Sequence, residues 1–115
     1  MLKPDVLRGA QNFSLVYNRG KSIGGKYVVV FYKRNGLAFS RRGFLASKKV
    51  GNAVKRNRAR RLMKEAYRTG FGIQLKSGYD YIFIARNTIE GAKMQEVSRT
   101  LYGTLRKADL ITRTK

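Results

Sequence analysis

Between Lys48 and Arg68 nearly every second residue is Lys or Arg, and the only acid in the stretch is Glu65. Ammonium and guanidinium groups at this density bind polyanions, phosphate backbones above all. A run of like charges can be a solvated, disordered tail, but the spacing here predicts a helix. At about 100° per residue, Ala59, Leu62, Met63, Ala66 and Tyr67 fall on one side. Asn57, Arg60, Arg61, Lys64 and Arg68 fall on the other, so an apolar stripe docks while a cationic stripe faces outward. Asn52 is a good N-cap, and Gly70 and Gly72 are expected to stop the helix. Arg56 and Arg58 lie near the N-terminus, where the macrodipole disfavours cations. A bound polyanion would relieve that cost.

Hydrolytic chemistry needs a metal cluster, a general base or a nucleophile. The 115 residues contain no Cys and no His, which removes disulfides and the usual zinc ligands. The acids Asp5, Glu65, Asp80, Glu90, Glu96 and Asp109 are scattered. Glu65 reads as the i−4 partner of Arg61, and Asp80 as a turn or capping residue. Gly20-Lys21-Ser22 resembles the end of a phosphate-binding loop. Leu15 stands where that loop needs its first glycine, and no strand precedes it, so a nucleotide hydrolase is rejected. The sequence argues against autonomous catalysis and against any metal or cofactor bound by the protein alone.

The elements that must position the basic helix follow from the pattern. Gln11 to Asn18 predicts a short helix with Phe13 and Tyr17 four apart on one face. Those rings either pack in the core or form a stacking platform for single-stranded bases. Asn18 to Lys26 reads as a turn region. Tyr27 to Tyr32 is a β-branched and aromatic strand, apolar on both faces, so both should be covered. Asn35-Gly36 is a hairpin signal, with Leu37 to Ser40 extending the returning strand and Gly43 to Ser47 leading into the basic segment. Tyr79 to Ala85 is a buried strand ending at Arg86-Asn87. Lys93 to Lys107 is a last helix with Val97, Leu101, Tyr102 and Leu105 as its apolar side. The order α-β-β-(β)-α-β-α implies a single α+β domain over residues 1–115, a small sheet of about four strands with helices packed on it. Residues 1–9 and 109–115 are expected to fray.

With 26 basic and 6 acidic residues the net charge is +20, the balance of a nucleic-acid binder. A membrane-surface protein is a rival, but the basic helix lacks the large apolar wedge of an interfacial helix. No apolar run approaches the roughly 20 residues that span a bilayer. The N-terminus lacks a signal peptide's apolar core, so a cytoplasmic location is expected.

Ser47-Lys48-Lys49-Val50-Gly51-Asn52-Ala53-Val54-Lys55-Arg56-Asn57-Arg58, followed by Arg60-Arg61-Leu62, resembles the signature of the bacterial ribonuclease P protein subunit. The likeness runs from about Leu7 to Leu110. It implies a split β-α-β core in which the basic helix makes a left-handed crossover, where general rules favour a right-handed one. It implies a ribonucleoprotein whose RNA, with magnesium, removes the 5′ leader of precursor tRNA. The protein would bind that RNA and the leader, with neither membrane nor DNA as partner. By resemblance, Phe13, Tyr17, Val29, Phe31 and Ser47 wall a leader cleft, with Lys49, Arg56, Asn57, Arg60 and Lys64 on its cationic side. Arg58, Arg61 and neighbouring Arg68 would face the catalytic RNA. Tyr17 stands where Phe is more usual, and Leu45 where a small polar residue is frequent, so the cleft floor is expected to be drier. A ribosomal or other structural RNA-binding protein remains the competing reading of composition and basic helix alone.

Overall fold

The computed structural model describes residues 5–112. The β-branched run makes the strand β2 (Val28–Arg34), and the aromatic run makes β4 (Tyr79–Ala85). They pair antiparallel, Val30 opposite Phe83. β3 (Arg41–Ala46) pairs in parallel with the other edge of β4, and β1 (Lys21–Gly24) pairs antiparallel with β2, giving the order β1-β2-β4-β3. The helices are α1 (Ala10–Arg19), α2 (Ala53–Ala66) and α3 (Met94–Lys107). None of the described helices is long and apolar enough to cross a membrane.

The sheet is apolar on both faces, and the helices divide unequally between them. Val28, Val30, Tyr81 and Phe83 join Ala59, Met63 and Ala66 of α2 and Val97, Leu101 and Leu105 of α3 in the main core. Phe83 stacks on Phe44 at 5.1 Å and on Tyr81 at 6.0 Å. On the opposite face Leu7, Val16 and Ile82 form a smaller cluster under α1. Gly20 caps α1, and a Cβ there would lie 2.5 Å from the Tyr32 carbonyl oxygen, so only glycine fits. The Gly20-Lys21-Ser22 segment thus belongs to the close approach of α1 to β2.

Several expectations need correction. Asn35-Gly36 does not close a hairpin, because β2 and β3 lie on opposite sides of β4. The additional strand comes from Lys21–Gly24, inside the predicted turn region, where pairing with β2 overrides weak local propensity. The parallel strands β3 and β4 are direct neighbours, so the β-α-β unit is not split by a third strand; β2 takes the other edge of β4. Gly70 does not stop the basic helix. The chain continues through a π-helical turn (Tyr67–Phe71) and a 3-10 turn (Gly72–Gln74). This wider winding carries Phe71 into the core, 5.8 Å from the Phe83 ring. The flanks expected to fray are held: Leu7 is buried and its N–H donates to the Arg42 carbonyl, while Leu110 and Ile111 are buried and Thr112 bonds Gln74. The remaining residues of those flanks, 1–4 and 113–115, lie outside the described range.

Asp80 is more than a turn residue. It is 6% exposed, receives Arg41 Nε at 2.9 Å and Nη2 at 2.6 Å, and accepts from Asn35 Nδ2 at 2.9 Å. The Asp80 carboxylate raises the Arg41 pKa chiefly through these hydrogen bonds. Removing one partner of such a pair strands the other charge. Asp80→Ala is therefore expected to cost about 3 kcal/mol in urea unfolding; a loss below about 1 kcal/mol would show that the pair holds nothing.

Candidate nucleic-acid interface

The α1 face of the sheet is built in rows. Phe31, Ile82 and Gly43 stand in register across β2, β4 and β3, and Val29, Ile84 and Leu45 form the next row. α1 covers the first row. Val16 is fully buried, Tyr17 sets its ring edge-on to Phe31 at 5.0 Å, and Phe13 lies on Gly43. A Cβ at Gly43 would stand 3.0 Å from the Phe13 ring, so the bare backbone is what lets the ring seat there. In the second row Val29, Ile84 and Leu45 are each half-buried, with Ile84 and Leu45 packed against the Leu7, Val16 and Ile82 cluster. Phe13 packs on the apolar cluster and Tyr17 on Phe31, yet Phe13 is only half-buried and Tyr17 is 39% exposed, so neither ring is enclosed in the core. Partial burial raises the Tyr17 phenol pKa, so it stays a neutral ring and donor.

A groove of about 730 Å³ opens beside this face and wraps the edge strand β3. Phe13, Gly43 and Leu45 line it from the α1 side, and Phe44, Lys64, Tyr67 and Arg68 from the α2 side. Asp5 to Leu7 form a strap along the edge, with Val6 bridged to Arg42. Tyr17, Val29 and Phe31 continue the apolar face toward β2, outside the groove itself.

Helix α2 is laid out as its period predicts. Asn52 caps it, accepting from the Lys55 N–H at 3.0 Å, and Ala59, Met63 and Ala66 are buried. Winding at about 100° per residue sets Arg56, Arg60 and Lys64 on the flank shared with groove-lining Tyr67, and Asn57 on the outward crest. Arg56 Nη1 turns back to the Gly51 carbonyl at 3.0 Å, and Arg60 donates to Asn57 Oδ1. Ser47 and Lys49 sit exposed in the turn before the helix, the Lys49 N–H donating to Ser47 Oγ at 3.3 Å. Arg61 shares the outward crest with Asn57, and Arg58 occupies the other flank. Arg58 lines a separate cavity of about 310 Å³ with Lys55, Val50 and Ile89. There Lys55 Nζ bonds Glu90 Oε2 at 2.8 Å and, with a smaller effect from Arg58, holds that carboxyl below the usual range. Val54, 76% exposed, lies on the same flank.

Two placements differ from expectation. Arg68 lines the groove with Lys64 instead of joining Arg58 and Arg61. Glu65 pairs with Arg68, not Arg61, because i+3 brings it under that guanidinium; the bond raises the Arg68 pKa. Sequence reasoning missed Asp5, Arg42 and Tyr67. The Arg42 guanidinium lies 4.5 Å over the Tyr67 ring and is held by Asp5 Oδ2 at 2.8 Å. Burial raises the Tyr67 phenol pKa, against an opposing pull from Arg42. Strand alternation carries the missing signal. Had β3 been started at Arg41, Arg42 would have fallen on the same face as Phe44, beside α2.

Five acids are engaged one by one with Arg41, Arg42, Lys55, Arg68 and Lys76, and Glu96 accepts from the Lys93 N–H at the start of α3. Among the described residues, most of the cations therefore have no carboxylate paired with them. The groove can stack bases on rings and hold phosphates on Lys64 and its neighbours.

The family model Ribonuclease P matches residues 1–109. The chain is 39% identical over 104 residues to the ribonuclease P protein component of Clostridioides difficile, covering 90% of this chain and 91% of that one. It is 40% identical over 112 residues to that of Alkaliphilus metalliredigens, covering 97% and 100%. Among solved structures it is similar to the Staphylococcus aureus RNase P protein, with a TM-score of 0.83 at 26% identity over 96% of this chain and 100% of that one. The Thermotoga maritima RNase P protein superposes with a TM-score of 0.78 at 30% identity, over 89% and 96%.

Gly43→Ala is expected to change stability by less than about 1 kcal/mol, since half-buried Phe13 can shift toward solvent. It should nonetheless weaken binding of a single-stranded RNA oligonucleotide several-fold, and add nothing in a Phe13→Ala background. Additive losses in fluorescence-anisotropy titrations would show that Gly43 does not act through Phe13.

Proposed function

Because this chain belongs to the ribonuclease P protein family and so works with ribonuclease P RNA in processing the 5′ leader of tRNA, we propose that its groove receives the single-stranded leader of precursor tRNA while the RNA subunit breaks the phosphodiester bond. The observation that carries this reading is the half-covered sheet face: apolar rings and aliphatic side chains stay open beside Lys64, Arg60 and Arg68. Stacking tolerates any base, which suits a leader of varied sequence. Phe13, Tyr17, Val29 and Phe31 supply the apolar wall. Ser47, Lys49, Arg56, Asn57, Arg60 and Lys64 supply polar and cationic contacts along the same side of α2 and the turn before it.

The crest and other flank of α2, with Arg61 and Arg58, hold the catalytic RNA, and Arg68 moves in this reading from that surface to the leader. The protein is a non-catalytic subunit. Its carboxylates are dispersed among separate partners, and no group of three potential metal ligands occurs among the described residues. Magnesium belongs to the RNA, and the cations of the protein lessen repulsion between two polyanions that must meet. The place of work is the cytoplasm.

Reconstitution tests the whole. Protein added to ribonuclease P RNA at low magnesium should stimulate cleavage of precursor tRNA, and no stimulation would contradict the assignment. Phe13→Ala and Tyr17→Ala should each weaken precursor binding by about tenfold while leaving mature tRNA unaffected; equal losses for both ligands would remove the leader from the groove. Substituting Arg58 and Arg61 with Ala should lower affinity for the catalytic RNA and flatten the log–log salt dependence by about one unit per lost phosphate contact. An unchanged slope would place that RNA elsewhere.

A further inference from the structure

Arg41 and Arg42 are neighbours on β3 and use their guanidinium groups differently. Arg41 lays its Nε and Nη2 edge on the Asp80 carboxylate, at 2.9 Å and 2.6 Å. Strand alternation turns Arg42 to the other face of the sheet. It gives Nη1 alone, to Asp5 Oδ2 at 2.8 Å and to the Asp5 carbonyl oxygen at 3.4 Å. Its guanidinium carbon stands 4.5 Å over the centre of the Tyr67 ring. One pinned donor and one covered face fix the plane of the group. The Nε and Nη2 edge, which Arg41 commits to a carboxylate, meets no acceptor among the described residues. The Arg42 side chain is 24% exposed and lines the groove at the β3 edge.

The groove has two unlike walls, and they indicate what that edge meets. Phe13, Gly43 and Leu45 make one wall without charge. Arg42, Lys64 and Arg68 stand on the other. Arg68 pairs with Glu65, whereas Lys64 enters no ion pair among the described residues. The Arg42 guanidinium covers one face of Tyr67, so the cationic wall has less ring surface to stack on than the apolar wall has in Phe13. Single-stranded nucleic acid is two-sided in the same way, with bases that stack and phosphates that take cations. The two non-bridging oxygens of a phosphodiester match the planar fork of Nε and Nη2. A base edge reaching the same fork would have to turn away from the apolar wall.

We propose that Arg42 is a phosphate clamp in the groove, with Asp5 and Tyr67 as the residues that position it. The leader of precursor tRNA then runs with its bases toward Phe13 and its backbone toward Arg42 and Lys64. The inference rests on the groove being the leader site and adds the direction in which the strand faces.

The test is binding of precursor and mature tRNA to the reconstituted ribonucleoprotein over a series of salt concentrations. Arg42→Ala should weaken precursor binding about tenfold, leave mature tRNA unaffected and flatten the salt slope by about one unit. Arg42→Lys keeps the charge without the fork, so it should keep the slope and recover only part of the affinity. Asp5→Asn removes a negative charge from the groove. Charge alone would tighten binding, whereas loss of positioning weakens it several-fold; tighter binding would overturn the role of Asp5. On the wild-type protein, a single methylphosphonate moved along the leader should weaken binding at one linkage, and in Arg42→Ala it should cost nothing further there. Methylphosphonates without effect at every linkage, or a loss in Arg42→Ala that follows a guanine in the leader, would overturn the phosphate clamp. Phe13→Ala measured alongside separates the two failures. A loss in Phe13→Ala with none in Arg42→Ala removes the clamp and leaves the leader in the groove, and no loss in either removes the leader as well.

Discussion

A sheet that is apolar on both faces has to be covered on both, and this chain carries too little helix to do so. Two fourteen-residue helices close one face. The other receives only α1, ten residues and so about 15 Å long. The strands it crosses run six or seven residues, about 20–23 Å. In the row beneath Val16 and Phe13 only Ile82 is fully buried, and the next, Val29, Ile84 and Leu45, stays half open along its whole width. The face assigned to the leader under the proposed function is the part of the core that the fold leaves partly open.

Charge is arranged by the same economy. Each of the six acids is engaged locally, in an ion pair or at a helix start, so none is left to answer the outward cations. The net charge of +20 is therefore displayed, most densely along α2 and the turns around it. Self-repulsion of that size opposes compaction, and the aromatic stack of Phe44, Phe83, Tyr81 and Phe71 must offset it.

Much of this was legible in the residues. The period of 3.6 placed Ala59, Met63 and Ala66 inward and Lys64 outward, and Asn52 caps α2 as its type suggests. Strong β runs located β2 and β4. What escaped was decided by partners distant in sequence. Lys21–Gly24 becomes a strand only because β2 offers an edge. The Asn-Gly turn could not reveal that β4, forty-odd residues later, inserts between the strands it joins. Gly70 looked like a stop because its local propensity is visible and the burial of Phe71 is not. Likewise the groove's far wall, Arg42 over Tyr67, arises where β3 meets α2, and no local pattern marks that meeting.

The claim that the leader lies along the β3 edge is most directly tested by photo-crosslinking. A precursor tRNA carrying 4-thiouridine in its leader, bound to the reconstituted ribonucleoprotein, would be irradiated and its protein adducts mapped by mass spectrometry. Adducts should fall within residues 13–17, 42–49 and 60–68. Adducts concentrated on α3, within 94–107, would contradict the account.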